Sequence, residues 1–472
     1  MNPRNVSRTR WSVGICLALA ALPVAQLPLP LAHGDGLPQS PSTDGNQALH
    51  RYLESFALDR QARELLDQPD GWDDARQSLA LRVLLRMALA PPEFQAAWVD
   101  AAVGLADLES PPADRLVSVA GRATRVAPMT LSTPQGEATG RTTLDLVRIV
   151  SDDGTIVDVI TESAPHSWPR WEAIDKPASV YGLPLAAAGG PIPHSADGLA
   201  ADWPTAPHAW LLVAPRVAWY PPTALGGLGM DHGLFDAVID GQKLTSADAD
   251  AFYGLLAAAG RAGEGTIAAA AGAEHSIVPL IDPAQHWFAD HRGEAVAIDG
   301  VALRATRIEI DDPLRRRQTG LNHYWELFVF VNTPLIRVAG RIQETYPVVC
   351  CVGSLPDGMP TGQAIHEHVR VACFALKTYA YPLTTKGGVE TKRESPLLVG
   401  GDVTWLPPPR PASSGPAGWL LQGLALIAVT GIAVAAWWGF RTGRERDRRR
   451  RQSLPEAWQP PGGEGGTDDR ET

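Results

Sequence analysis

The chain has 472 residues, 45% hydrophobic and 20% charged, with a formal net charge of −11. That length exceeds what one core serves and implies two or three domains, while the ordinary composition excludes a fibrous or wholly disordered chain. Between residues 33 and 417, 45 acids face 30 lysines and arginines, a surplus that argues against nucleic acid or anionic lipid as a partner of that part.

Residues 1–10, MNPRNVSRTR, carry three arginines and no acid, and the apolar run WSVGICLALAALPVA follows. A basic head before a short apolar stretch reads as an export signal over residues 1–32. Residues 45–110 read as a helical lead-in, in which Leu79, Val83 and Met87 recur on one helix face. Residues 111–222 hold five strand-like segments, near 115–126, 143–150, 155–161, 177–184 and 209–219, rich in Val, Ile, Leu and aromatics. A second helical lead-in covers 223–292, where Thr245 and Asp248 have the spacing of a capping box. Five further strands follow within 293–408, near 294–310, 323–331, 335–352, 368–379 and 396–405.

Residues 409–417 are a linker, and 418–440, GWLLQGLALIAVTGIAVAAWWGF, contain only Gln422 and Thr430 as polar side chains. At about 1.5 Å per residue this stretch exceeds a ~30 Å hydrocarbon core. Tryptophans mark its ends and RTGRERDRRRR follows, which places the tail on the cytoplasmic side. The expectation is a single-pass protein of the cell inner membrane, its bulk outside, with a basic, disordered cytoplasmic tail over 441–472. Gly431, Ala435 and Gly439 recur every four residues in the span, a spacing that permits helix contact within the bilayer.

The strand segments repeat. WLLVAPRVAWYPP at 210–222 lies over PLLVGGDVTWLPP at 396–408, an offset of 186; VDVITESAP at 157–165 lies over VVCCVGSLP at 348–356, an offset of 191; VSVAG at 117–121 lies over VAIDG at 296–300, an offset of 179. Matches that keep their order over a hundred residues point to a duplicated domain. Leu84-Leu85 and Leu255-Leu256 extend the match into the helices at an offset of 171. Gly121 and Gly300 end the first apolar stretch of each copy, where a small barrel bends. Five strands with an interruption between the third and fourth resemble the OB-fold, a small Greek-key barrel; an SH3-like barrel or small sandwich is the alternative. The expected class is α+β: two five-stranded OB-like barrels, each after a helical segment, plus one C-terminal transmembrane helix.

Each copy is a control for the other. Cys350, Cys351 and Cys373 overlie Val159, Ile160 and Gly182, so cysteine as a small apolar filler competes with a Cys350–Cys373 or Cys351–Cys373 disulfide. His366 and His368 overlie Asp175 and Pro177, and two such ligands make no metal site. Trp168 and Trp171 overlie Met359 and Gly362, so the barrel does not require them; they are candidate ligand-stacking residues, the alternative being packing against the rest of the fold. Trp219 and Trp405 occur in both copies and are assigned to the core. The chain has no G-x-S-x-G, phosphate loop or dinucleotide fingerprint, so no catalytic residue, cofactor or metal is assigned.

The function expected is that of a membrane-anchored envelope module that binds without catalysis, its partners the lipid bilayer and an envelope protein or glycan. The alternatives are a hydrolase-type enzyme with a site between the barrels, gathering His166, His194, Asp197 and Asp202, and a structural subunit of a membrane complex.

Overall fold

The structure is a computed structural model that describes residues 45–55, 62, 74–105, 115–186, 203, 210–272, 276–282, 285–338, 341–384, 390–407, 427–435 and 437. The chain divides into two units, Met1–Leu406 and Pro407–Thr472. The expected signal, linker and basic tail, together with Gly439, lie outside the described residues. In the second unit 427–435 is helical and contains Gly431 and Ala435. Among the described residues no helix is long and apolar enough to cross a membrane.

The first unit is mixed α and β. Helices α1 (Gly45–Glu54), α2 (Asp74–Ala88) and α3 (Pro92–Asp100) precede a two-residue strand, β1 (Val103–Gly104), and then β2 (Val117–Thr130), α4 (Thr133–Thr139), β3 (Thr143–Ser151), β4 (Ile156–Ser163), β5 (Ala173–Ala186), β6 (Trp210–Arg216) and β7 (Ala218–Trp219). Short helices follow: α5 (Ala224–Gly227), 3-10 turns at His232–Ala237 and Ser246–Asp248, α6 (Ala249–Arg261), α7 (Thr266–Ala271), α8 (Val278–Ile281) and α9 (Trp287–His291). The remaining elements are β8 (Ala295–Glu309), α10 (Pro313–Thr319), β9 (His323–Val338), β10 (Arg341–Val352), β11 (Glu367–Thr384) and β12 (Glu390–Trp405).

Strands β8 to β12 form a closed barrel in the order β10-β12-β11-β8-β9. β10 and β12 run parallel and the other pairs antiparallel, the connectivity of an OB-like Greek-key barrel. The first sheet, β1-β2-β3-β4-β6-β5-β7, returns on itself through β2–β5, and its one parallel pair within that ring is β4–β6. The registers correspond under the sequence offsets. Val117 faces Gly182 and Val119 faces Val180; Val296 faces Cys373 and Ile298 faces Val371. Val159 faces Leu212 as Cys350 faces Leu398. The β-bulge between Ala123 and Arg125 has its counterpart between Ala302 and Arg304, and that between Pro184 and Ala186 recurs between Ala375 and Lys377. Gly121 and Gly300 have a shared cause: a Cβ at either would run into a carbonyl oxygen of the neighbouring strand, that of Val150 or of Phe330.

Alternation along the strands makes two cores per barrel. Val117, Val119, Ile149, Val157, Val159 and Leu212 fill the inside of the first, while Leu146, Ile160, Leu183 and Val213 lie on the outside under Leu79, Val83, Leu84 and Met87 of α2. The second barrel repeats this, with Val296, Ile298, Val329, Cys350, Val371 and Leu398 inside and Cys351, Phe374 and Val399 outside under Phe252, Leu255 and Leu256 of α6. The capping box at Thr245 and Asp248 is present: Asp248 accepts from the Thr245 backbone N–H at 2.8 Å. Its other carboxylate oxygen takes Lys377 Nζ at 2.8 Å. Lys377 and Asp248 are both fully buried, so this pair pins the start of α6 to β11.

Candidate functional site

The loop between β4 and β5 carries both candidate tryptophans, and the structure separates them. Trp168 is 2% exposed and lies in the barrel interior, its ring edge-on to Trp219 at 6.3 Å. Its counterpart Met359 is also buried. The slot is therefore a core slot filled by side chains of different size, and Trp168 takes the packing alternative. Trp171 is 43% exposed and has φ 70, one of two non-glycine residues with positive φ among the described residues. For an L-residue that region costs about 1–2 kcal/mol.

The loop around Trp171 is tied down by hydrogen bonds. Trp168 N–H donates to Pro165 O at 3.1 Å. Arg170 donates to the carbonyls of Pro165 (2.9 Å) and Trp168 (2.6 Å) and to Asp145 Oδ2 (3.0 Å). Trp171 N–H donates to Val126 O at 2.8 Å. The second barrel makes the two corresponding backbone bonds from other residues: Met359 N–H donates to Pro356 O at 3.2 Å and Gly362 N–H to Ala305 O at 2.8 Å. Gly362 has φ 134. Thus the position where one barrel uses a positive-φ glycine, unstrained there, holds an exposed tryptophan in the other.

A second cluster, which the sequence did not reveal, sits on the outside of barrel two. Arg304 on β8 and Glu326 on β9 form an ion pair buried to 6% and 1% exposure. The Arg304 guanidinium lies 3.9 Å from the Phe328 ring centroid, Phe328 meets Tyr381 edge-on at 6.4 Å, and Tyr381 stacks on Tyr379 at 6.0 Å. Arg304 Nε and Glu326 Oε2 have no partner among the described residues. Loss of hydration raises the Glu326 carboxyl above its ordinary range, against the pull of Arg304, and pushes the Tyr379 phenol up to about 12. The internal comparison carried a signal here, because Glu326 faces Cys351 as Leu146 faces Ile160: a carboxylate occupies a leucine slot.

The three cysteines are free and buried. Cys350 and Cys373 are neighbours inside the barrel, but β12 runs between their strands, pairing Cys350 with Leu398 and Cys373 with Gly401. Two strand spacings of about 4.8 Å exceed the Cα separation of about 7 Å that a disulfide tolerates. Cys351 points to the outer core. The disulfide alternative therefore gives way to apolar filling, and burial raises the Cys351 and Cys373 thiols. The His366 and His368 rings lie 6.1 Å apart, and no group of three metal-ligating side chains occurs among the described residues. His291 stacks on Trp287 at 4.6 Å. Of the residues named for a hydrolase site, His166 donates its backbone N–H to Asp236 at 2.9 Å, while His194, Asp197 and Asp202 lie outside the described residues.

No family model and no curated protein matches the chain. Among solved structures it is similar to a Plasmodium falciparum SSB in complex with ssDNA, at 13% identity over 24% of this chain and 94% of the other, with a TM-score of 0.16. It is also similar to a mitochondrial single-stranded DNA binding protein from S. cerevisiae, at 14% identity over 24% of this chain and 95% of the other, with a TM-score of 0.13. At such values the OB-like assignment rests on strand order and closure, not on these likenesses. They do correct one expectation: with single-stranded DNA binding proteins as the structural neighbours, nucleic acid is not excluded as a partner. The physical reason is that net charge averages over a whole surface and does not describe one face.

Proposed function

We propose that this chain is an exported, membrane-anchored binding module built from two copies of one helix-plus-barrel unit, and that it binds its partner without catalysis through the β4–β5 loop of the first barrel. The span at 418–440 holds it to the cell inner membrane, with the barrels outside and the C-terminus in the cytoplasm. The carrying observation is Trp171: it is exposed and held at positive φ where the other barrel makes the same backbone bond from Gly362. A residue that the fold fills with glycine elsewhere, and that raises the energy of the loop here, is retained for its ring. Arg170 supports the reading, because four bonds from one guanidinium hold the loop before any ligand arrives, which lowers the ordering cost of association. Strain of this kind gathers at ligand clamps.

The test uses the full-length chain in its native envelope, with a photoreactive residue placed at Trp171 and, separately, at exposed Leu89. Adducts should concentrate at position 171, and the partner so caught should bind Trp171→Gly at least about tenfold more weakly, the loss of a stacked aromatic being worth at least about 1.4 kcal/mol. Equal binding by Trp171→Gly and the wild type would sink the proposal.

A further inference from the structure

Four rings run in file from the interior of the first barrel to the outer core of the second. Trp168 meets Trp219 at 6.3 Å, Trp219 meets His232 at 5.5 Å and His232 meets Phe235 at 5.4 Å, each edge to face. Trp168 belongs to the barrel-one interior. Phe235 belongs to the core that Phe252 and Leu255 of α6 build on barrel two, and it packs so closely on Gly293, just before β8, that a Cβ there would touch its ring. The only titratable ring of the file is its third member. Trp168 Nε1, Trp219 Nε1 and His232 Nε2 are buried with no hydrogen-bond partner among the described residues, so an imidazolium here has no acceptor for its Nε2 proton.

We propose that His232 is the keystone between the two barrels and that charging its imidazole loosens their junction. His232 is half-buried with its Nε2 edge closed off by its neighbours; the neutral ring packs there as an aromatic, whereas the cation carries a proton on that edge, which gains an acceptor when Trp219 or Phe235 moves away. Burial lowers the imidazole to about 4 from an ordinary 6.5. A base lowered by folding is neutral in the closed form and takes up its proton on opening. Its contribution to the closed form is therefore complete above about pH 6.5 and is lost as the pH falls from there toward 4.

Charged groups surround the file from every element packed against it. Asp231 accepts the N–H of Trp219 (2.9 Å) and of Gly233 (2.8 Å) and pairs with Arg216. Asp236 accepts from His166 N–H, with the His166 ring at 3.9 Å. Lys176 Nζ lies 6.0 Å from the Trp219 ring, Arg170 pairs with Asp145, and Arg292 pairs with Asp240 at 2.6 Å. The discriminating variant is therefore His232→Phe, which keeps every one of these charged groups and the aromatic contacts while removing the imidazole.

The full-length chain in detergent, carrying Cys16→Ser and spin-labelled at Asp153→Cys and Asp357→Cys, reports the distance between the barrels; both positions are exposed and Cys350, Cys351 and Cys373 are buried. Wild type should show one distance population at pH 7 and a second, broader one that grows between pH 6 and 4. His232→Phe should keep the single population throughout, and His232→Gln, which also carries no charge, takes its place should the phenylalanine variant not fold. An unchanged wild-type distribution down to pH 4, or a non-titrating variant that broadens as the wild type does, overturns the proposal.

Discussion

The two barrels share a register and bury different ion pairs. In the first, Arg148 on β3 faces Asp158 on β4 and holds it with two bonds, Nε to Oδ1 and Nη2 to Oδ2, each 2.8 Å, beneath the Trp203 ring at 5.1 Å. In the second, Arg304 holds Glu326 through a single nitrogen, and Nε and Oε2 remain without partners among the described residues. The slots do not correspond. Glu326 stands where the first barrel has Leu146, and Phe328 where it has Arg148, as the pairings of β3 with β4 and of β9 with β10 show. What does correspond is the interior filling, the bulges and the glycines. Close packing inside a small closed barrel fixes the register, whereas the outer face needs only to match the helices laid on it.

The comparison predicts that the Arg304–Glu326 pair is replaceable by apolar side chains, as Leu146 stands in the Glu326 slot of the first barrel, though only as a whole. Glu326→Leu alone strands a buried guanidinium and should lower stability by about 3–5 kcal/mol, while Glu326→Leu with Arg304→Met should restore it to wild type or above. Arg148→Met alone should behave like the first of these, since it leaves Asp158 buried without its two bonds. Urea unfolding of the full-length chain reads all three. A double variant as unstable as the single would mean that the charges hold the register after all.

Much of this was legible because the chain could be compared with itself. The offsets found in the strands predict which residues face each other, as with Val159–Leu212 and Cys350–Leu398. Two short helices were missed. α4 has Ser132 as cap with a capping box to Gln135, and α10 has Asp312 as cap; each carries proline in its first turn and ends at a left-handed glycine, Gly140 or Gly320. Those signals are in the sequence, but seven residues with few apolar side chains give no helical period. The position of Trp168 between two strand segments is legible in the sequence, yet its burial depends on Trp219, far along the chain. Arg304–Glu326 and Lys377–Asp248 join residues 22 and 129 positions apart, a pairing that only tertiary structure decides. Glu326 could have been flagged through Leu146, but β3 and β9 share too few residues to reveal their offset unaided.

A smaller effect is expected at the shared bend. Gly121→Ala and Gly300→Ala each push a methyl against a carbonyl oxygen of the adjacent strand, and the approach is closer at Gly121. Overpacking of this sort costs about 1–3 kcal/mol, so both should lower stability, Gly121→Ala the more. Thermal or urea unfolding that leaves either variant at wild-type stability would show that the bend is set by something other than this contact.

The smallest effect separates the loops. Trp171→Gly and Trp171→Ala remove the same ring, so the difference between them isolates the backbone. At ordinary negative φ, glycine in place of alanine destabilises by about 0.5–1 kcal/mol, because the unfolded chain gains freedom. At φ 70 the alanine also carries the left-handed penalty of about 1–2 kcal/mol, and the order should reverse, with Trp171→Gly the more stable by up to about 1.5 kcal/mol. Gly362→Ala in the second barrel, at φ 134, should lose stability for the same reason. If Trp171→Ala instead equals or exceeds Trp171→Gly, the loop is not strained there, and retention of the indole no longer needs a ligand to explain it.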